Sequence, residues 1–133
     1  MAALQMIESF YHRPIHPPHY ENLISNINAN KGTSGLSLKQ AFADSGYESV
    51  IFPGELNHNI TGLFHHLDAG HPLIVMIGPE LKRHYLVAFG YDPKTQHVFF
   101  NDPLNGALVF SYESFVEFWQ TAHHFTLLAI PKP

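Results

Sequence analysis

From Pro72 onward the sequence is a series of short β-type segments separated by tight turns, and this pattern limits the possible folds more than any other feature. The segments are Leu73–Ile77, His84–Tyr91, His97–Asn101 and Ala107–Phe110. The turns between them read Pro-Glu-Leu-Lys, Asp-Pro-Lys-Thr and Pro-Leu-Asn-Gly, which are typical turn sequences. Parallel neighbours would need a crossover of about a dozen residues or more. The short turns therefore favour an antiparallel sheet.

The part of the chain before Pro72 shows apolar residues at helical spacing instead. The spacing predicts four helices, which carry Ala3, Ile7 and Phe10 in the first, Tyr20–Asn28 in the second, Leu38, Ala41 and Phe42 in the third, and Ile60, Leu63, Phe64 and Leu67 in the fourth. Ser37 and Gln40 form a capping box for the third helix, and glycines end the third and fourth helices at Gly46 and Gly70. A strand over Tyr47–Phe52 is predicted between these two helices.

The last part of the chain completes this pattern. Ser111 is placed to cap a final helix with Phe115, Val116 and Trp119, and His124–Ile130 is predicted to return as a closing strand. Helices that come first and strands that come later are typical of an α+β domain. We therefore expect residues 1–133 to form a single domain in which N-terminal helices pack on an antiparallel sheet.

Composition removes several classes of function. The 133 residues are 45% hydrophobic, which suits one compact core, and the net charge of −4 with only 7 lysines and arginines gives no basic face for nucleic acid. The sequence has no cysteine, so it forms neither disulfides nor thiolate metal sites. It also has no apolar run of the roughly 20 residues that span a membrane, and no secretion signal. A signal upstream of Met1 is compatible with this sequence, which does not specify a cell compartment.

Two residues are placed for proton-transfer chemistry. His84 begins an apolar strand, and the next predicted strand ends in Asn-Asp-Pro at Asp102. In an antiparallel pair these two ends lie side by side, so that the Asp102 carboxylate would accept the imidazole N–H and orient the ring as a general base. The simpler interpretation is that His84, one of 11 histidines in the chain, is an ordinary surface residue and that Asp-Pro only starts a turn.

Several short strings, taken in order, resemble the bacteriocin-processing, double-glycine leader peptidases of the papain-like cysteine peptidase superfamily. The resemblance covers nearly the whole chain. The strings are Ala2–Tyr11, Gly32–Ser37, Gly70–Val75, His84–Val87 with Gly90–Asp92, Asn101–Pro103 with Gly106, and Ser111–Phe115 with Trp119. The resemblance implies a papain-like fold in which His84 is the catalytic base and Asp102 its orienting carboxylate. It also implies a bacterial source.

The resemblance breaks down at the start of the chain. On this alignment Met1 occupies the family's proline position, so the nucleophilic cysteine would lie two residues before Met1 and the oxyanion-hole glutamine further upstream. Gln5 lies on the wrong side of the nucleophile to be that donor. The first predicted helix also lacks a capping residue, and we interpret this as a loss of native N-terminal residues. A general base and the carboxylate that orients it cannot cleave a peptide bond in this way without a nucleophile. The chain therefore resembles a hydrolase but is predicted to be inactive.

The family resemblance implies a peptide or protein substrate and, by analogy, a link to an export or membrane system. Family peptidases act on small-residue, double-glycine type motifs. Tyr85 and Trp119, or the edge of the Tyr47–Phe52 strand, are candidates for peptide binding, although such residues are more often part of a core. No cofactor is predicted.

Two alternatives stay open at this point. In the first, the domain is a naturally inactive module that binds a peptide or a partner. In the second, it is a histidine-rich metal-binding protein, because histidines occur at His65-His66, at His123-His124 and at His12, His16 and His19. Adjacent histidines point to different sides and rarely bind one ion together, and prolines interrupt the last group, so we predict no metal site.

Overall fold

A computed structural model describes Ile7, residues 35–102 and residues 105–133. These residues form three helices, six strands and one 3₁₀ turn at Glu80–Lys82. In chain order they are α1 Gly35–Asp44, β1 Tyr47–Pro53, α2 Leu63–Asp68, β2 Leu73–Ile77, β3 His84–Asp92, β4 His97–Asp102, β5 Gly106–Ser111, α3 Tyr112–Gln120 and β6 Phe125–Pro131. The second predicted helix and most of the first lie outside the described residues.

All six strands belong to one sheet in the order β1-β6-β2-β3-β4-β5, and every neighbouring pair is antiparallel. The sheet confirms the antiparallel arrangement expected from the short turns. The last strand, β6, lies between β1 and β2 and so joins the two halves of the chain. The pairing of β3 with β4 shifts between Ala88 and Gly90, which leaves Phe89 in a bulge.

The core consists of two apolar clusters that lie on opposite faces of the sheet. Val87 belongs to the cluster that α1 covers, whereas its neighbours Leu86 and Ala88 belong to the cluster that α2 and α3 cover. This alternation follows from the two-residue period of a strand. Buried members of the first cluster include Ile7, Phe42, Ile74 and Leu127, and those of the second include Leu63, Val98, Phe100, Phe115 and Trp119. Helices thus pack on both faces of the sheet.

The start of α1 differs from the prediction. The helix already includes Gly35 and Leu36, so Ser37 lies inside it and does not cap it. The predicted inward face is confirmed, because Leu38, Ala41 and Phe42 are buried. The predicted end is confirmed as well: the helix is followed by Gly46, whose φ of 86° suits glycine.

The start of α2 also differs from the prediction. The helix begins at Leu63, and Ile60 lies in the preceding loop with 75% of its surface exposed. The Ile60 carbonyl oxygen lies 2.7 Å from His66 Nε2, which holds this loop against α2. The apolar spacing had instead predicted that Ile60 belongs to the helix. The predicted stop at Gly70 is confirmed by its φ of 82°.

The final helix agrees with the prediction. Ser111 is the N-cap of α3, and its hydroxyl accepts a hydrogen bond from the Ser114 backbone N–H at 3.1 Å. Phe115 and Trp119 are buried, while Val116 is half-buried. No helix in residues 35–102 or 105–133 is long and apolar enough to cross a membrane.

Candidate active site

The first residue of β3 and the last residue of β4 meet at one end of the sheet. His84 Nε2 lies 2.8 Å from Asp102 Oδ1. The two strands are held in register by pairs such as Val87 with Asn101, and this register places their ends side by side. The structure therefore brings together the two residues that the sequence singled out.

The contact between them defines which ring nitrogen carries the proton. A carboxylate only accepts hydrogen bonds, so in neutral His84 the proton lies on Nε2 and the lone pair on Nδ1. Within the described residues, Nδ1 makes no hydrogen bond. The His84 side chain is 31% exposed, whereas that of Asp102 is 3% exposed. The site thus combines an accessible proton acceptor with a buried carboxylate that orients it.

Asn105 contacts the other oxygen of the same carboxylate. Its Nδ2 donates to Asp102 Oδ2 at 3.0 Å, so both oxygens of the buried group accept a hydrogen bond. A buried carboxylate needs such partners, since an unpaired one is costly to desolvate. The sequence predicts Asn105 only as a residue of the Pro-Leu-Asn-Gly turn. Its position three residues after Asp102, in a turn that returns the chain to β5, is the signal that indicates this contact.

Tyr85 follows His84 but belongs to the opposite face of the sheet. It is half-buried against the first cluster, with its ring 5.9 Å from that of Phe125. Burial raises the pKa of Tyr85 to about 12, and the nearby Arg83 charge partly opposes this rise. Tyr85 therefore contributes to the core and does not form one continuous surface with the His84 imidazole.

Trp119 does not have the position that the prediction of peptide binding requires. It is 0% exposed, its Nε1 donates to the Phe125 carbonyl oxygen at 3.0 Å, and its ring stacks on His124 at 4.5 Å. The interpretation of Trp119 as part of a peptide groove is corrected: the apolar face of α3 packs into the core. The other candidate for peptide binding, the predicted edge strand, agrees better with the structure than Trp119 does, because β1 is the outermost strand on one side of the sheet among the described residues.

The histidine pairs do not assemble a metal site in the part of the chain that the structure describes. No group of three or more histidine, aspartate or glutamate side chains there has the proximity to hold an ion. His66 and His124 instead contact backbone carbonyl oxygens, those of Ile60 at 2.7 Å and Gly54 at 3.0 Å. The group His12, His16 and His19 lies outside the described residues.

A second polar cluster lies near the far end of β3. The Tyr91 hydroxyl donates to Asp68 Oδ1 at 2.7 Å, and His58 Nε2 lies 3.2 Å from the same hydroxyl oxygen. The Tyr91 ring stacks on Phe64 at 4.2 Å. These contacts hold α2 and the loop before it against β3. The hydrogen bond to Asp68, with smaller effects of burial and charge, raises the pKa of Tyr91 to about 12.

This raised pKa predicts a specific pH dependence. The folded chain holds the phenol proton more tightly than the unfolded chain, so the stabilisation is complete below pH 10 and is lost as the pH rises from 10 to about 12. In Asp68→Asn we expect the pKa of Tyr91 to fall towards 10, as measured by NMR of its ring carbon. Glu48→Gln removes a distant exposed carboxylate and should leave this pKa unchanged. An unchanged value in Asp68→Asn would contradict the assignment.

Comparison with known proteins assigns the chain to a family. The model of the Peptidase_C39 like family matches residues 1–126. The chain belongs to this family. No curated protein matches the chain at a significant level. Membership of the Peptidase_C39 like family confirms the resemblance of the sequence to double-glycine leader peptidases.

Solved structures with the same fold are peptidase domains of transporters. The peptidase domain of Streptococcus ComA, a bifunctional ABC transporter of a quorum-sensing pathway, is 22% identical, with a TM-score of 0.62 over 77% of this chain and 70% of that one. The Streptococcus mutans ComA domain is 18% identical, with a TM-score of 0.57 over 77% and 78%. A double glycine motif protease from an AMS/PCAT transporter, solved with its leader peptide, is 19% identical, with a TM-score of 0.67 over 98% and 83%. The predicted papain-like fold of this Peptidase_C39-like chain is therefore confirmed.

Proposed function

We propose that residues 1–133 form one peptidase-like domain that acts on or binds peptides with small-residue, double-glycine type motifs, with His84 as its general base and Asp102 as the orienting carboxylate. The observation that carries this proposal is the 2.8 Å contact between an accessible imidazole and a buried carboxylate. The family match over residues 1–126 supports the assignment to one domain.

The geometry supports different roles for His84 and Asp102. Asp102 accepts the Nε2 proton and leaves the Nδ1 lone pair free to take a proton from a thiol. The carboxylate then stabilises the imidazolium that forms, as the third member of a triad does. Asn105 holds the carboxylate from its other side. The described residues thus supply the proton-transfer half of a cysteine peptidase site.

The other half of the chemistry needs a thiolate, which this sequence does not provide because it has no cysteine. His84 and Asp102 orient and accept a proton but form no covalent intermediate. We therefore infer that these 133 residues bind peptide without cleaving it, and that cleavage requires a thiol placed near His84 Nδ1.

The structural neighbours support a peptide partner in an export setting. ComA is described as an ABC transporter, and the PCAT domain was solved in complex with a leader peptide. We propose that this chain also recognises a peptide that a transport system handles.

NMR titration with short peptides tests the proposed function. A blocked peptide with a Gly-Gly pair should shift the signals of His84 and its neighbours on β3 and β4. A matched peptide with two valines should bind at least about tenfold more weakly, because branched side chains do not fit where a peptide backbone must approach closely. Equal binding of the two peptides, or shifts confined to residues far from His84, would contradict the proposal.

A further inference from the structure

Asn105 is the only asparagine in the sequence that is followed by glycine. It is exposed in the turn before β5, and Gly106 begins that strand with a φ of 83°. Apart from its chain neighbours, a Cβ added to Gly106 would meet no heavy atom within 4 Å. The peptide bond between the two residues is therefore open to solvent, and glycine has no side chain that shields its backbone nitrogen.

An asparagine followed by glycine has a reaction open to it that needs no enzyme. The Gly106 backbone nitrogen attacks Cγ of Asn105, the bond between Cγ and Nδ2 breaks, and Nδ2 leaves as ammonia with the proton from Gly106. Water then opens the cyclic imide at one of its two carbonyl carbons, which gives aspartate or isoaspartate and releases a proton to the solvent. Each conversion adds one negative charge to a chain whose net charge is −4.

We propose that Asn105 is a site of spontaneous deamidation and that its conversion releases His84 from the carboxylate that orients it. Asn105 Nδ2 donates to Asp102 Oδ2 at 3.0 Å, and Asp102 Oδ1 lies 2.8 Å from His84 Nε2. The nitrogen that leaves as ammonia is thus the atom that holds the Asp102 carboxylate. The product has in its place an oxygen that only accepts hydrogen bonds.

The new carboxylate would face the Asp102 carboxylate at hydrogen-bond distance. The Asp102 side chain is 3% exposed, so water screens the repulsion between them only weakly. Two carboxylates at one site either share a proton or move apart. A shared proton reduces the negative charge that holds the Nε2 proton of His84, and separation opens the turn between β4 and β5. In both cases the His84 ring loses its fixed orientation.

The hydrogen bond to Asp102 also controls the rate of the reaction. It must break before Cγ of Asn105 turns towards the Gly106 nitrogen, so the native contact slows conversion. Deamidation therefore proceeds on the time scale of protein ageing and not on that of catalysis. This property of the turn is separate from peptide recognition, and its tests need neither a peptide ligand nor an added cysteine.

Peptide mapping by mass spectrometry, after incubation of the native chain in mildly alkaline buffer, tests the reaction itself. Asn59 is the internal reference, because it is also exposed but is followed by the β-branched Ile60. Asn105 should be converted at least about tenfold faster than Asn59, because glycine leaves the attacking nitrogen unhindered. Asn105→Gln should show no conversion at this position, since its longer side chain closes the imide ring far less readily. Conversion of Asn105 no faster than that of Asn59 would overturn the inference.

Nitrogen NMR of the His84 ring tests the consequence. In the deamidated chain, separated by ion exchange, the Nε2 proton should exchange with water at least about tenfold faster than in the native chain, the scale of one lost hydrogen bond to a charged group. Asn105→Asp should show the same change, whereas Asn59→Asp adds an equal charge at the far end of β3 and should leave the ring signals unchanged. Native ring signals in the deamidated chain, or equal changes in both variants, would overturn the inference and leave the proposed function standing.

Discussion

Thiol-dependent peptide cleavage is the expected result of adding an N-terminal extension that carries a glutamine and, directly before residue 1, a Cys-Gly pair. These are the family positions of the oxyanion donor and the nucleophile. His84 Nδ1 would then take the thiol proton while Asp102 orients the ring. Cleavage of a Gly-Gly peptide, followed by mass spectrometry, should rise from none to a measurable rate that thiol-modifying reagents abolish.

Two variants of the extended chain test the source of this activity. Replacing the added cysteine by serine should remove cleavage without unfolding the domain. His84→Ala should lower the rate by at least about 100-fold, the usual scale of a lost general base. An extended, correctly folded chain that cleaves nothing, or one that cleaves equally well without His84, would defeat the peptidase interpretation.

Replacement of Trp119 by alanine should cause a large loss of stability. Trp119 is 0% exposed, stacks on Phe115 at 4.7 Å and donates its N–H to the Phe125 carbonyl oxygen. Removing the ring leaves a cavity between α3 and the sheet and leaves that oxygen without its donor. We expect the free energy of unfolding in Trp119→Ala to fall by about 3–5 kcal/mol, as measured by chemical denaturation with far-UV circular dichroism.

The neighbouring position on the same helix gives the control. Phe118 is 44% exposed, so Phe118→Ala deletes an aromatic ring of similar chemistry from the surface. This change should cost under about 1 kcal/mol. Similar losses for both variants, or a loss under about 1 kcal/mol for Trp119→Ala, would contradict the assignment of Trp119 to the core.

Local pattern accounts for the parts of the fold that the sequence predicted well. The strand over Leu73–Ile77 has the predicted bounds, and the last helix begins after its predicted cap, Ser111. Turn and capping residues lie within a few positions of each of these boundaries. Their prediction therefore needs no knowledge of contacts between distant parts of the chain. The proximity of His84 and Asp102 follows from the same logic, because one tight turn joins their strands.

The features that the sequence did not predict depend on distant contacts. The last strand, β6, lies between β1 and β2, and this order depends on contacts between residues that are far apart in the sequence. Helical spacing showed that Trp119 lies on the apolar face of its helix, but spacing does not distinguish a face that packs on a sheet from one that lines a groove. The role of Asn105 depends on the path of the turn after Asp102, which composition does not specify.

Under the proposed function, Asp102 fixes the His84 ring with Nδ1 as the proton acceptor, and nitrogen NMR of the ring measures which nitrogen carries the proton. At a pH where the imidazole is neutral, the proton should lie on Nε2. In Asp102→Asn, Asn105 still donates to the introduced side-chain oxygen, so the introduced amide N–H points at His84 and the proton should move to Nδ1. A native ring protonated on Nδ1, or a tautomer that Asp102→Asn leaves unchanged, would contradict the account.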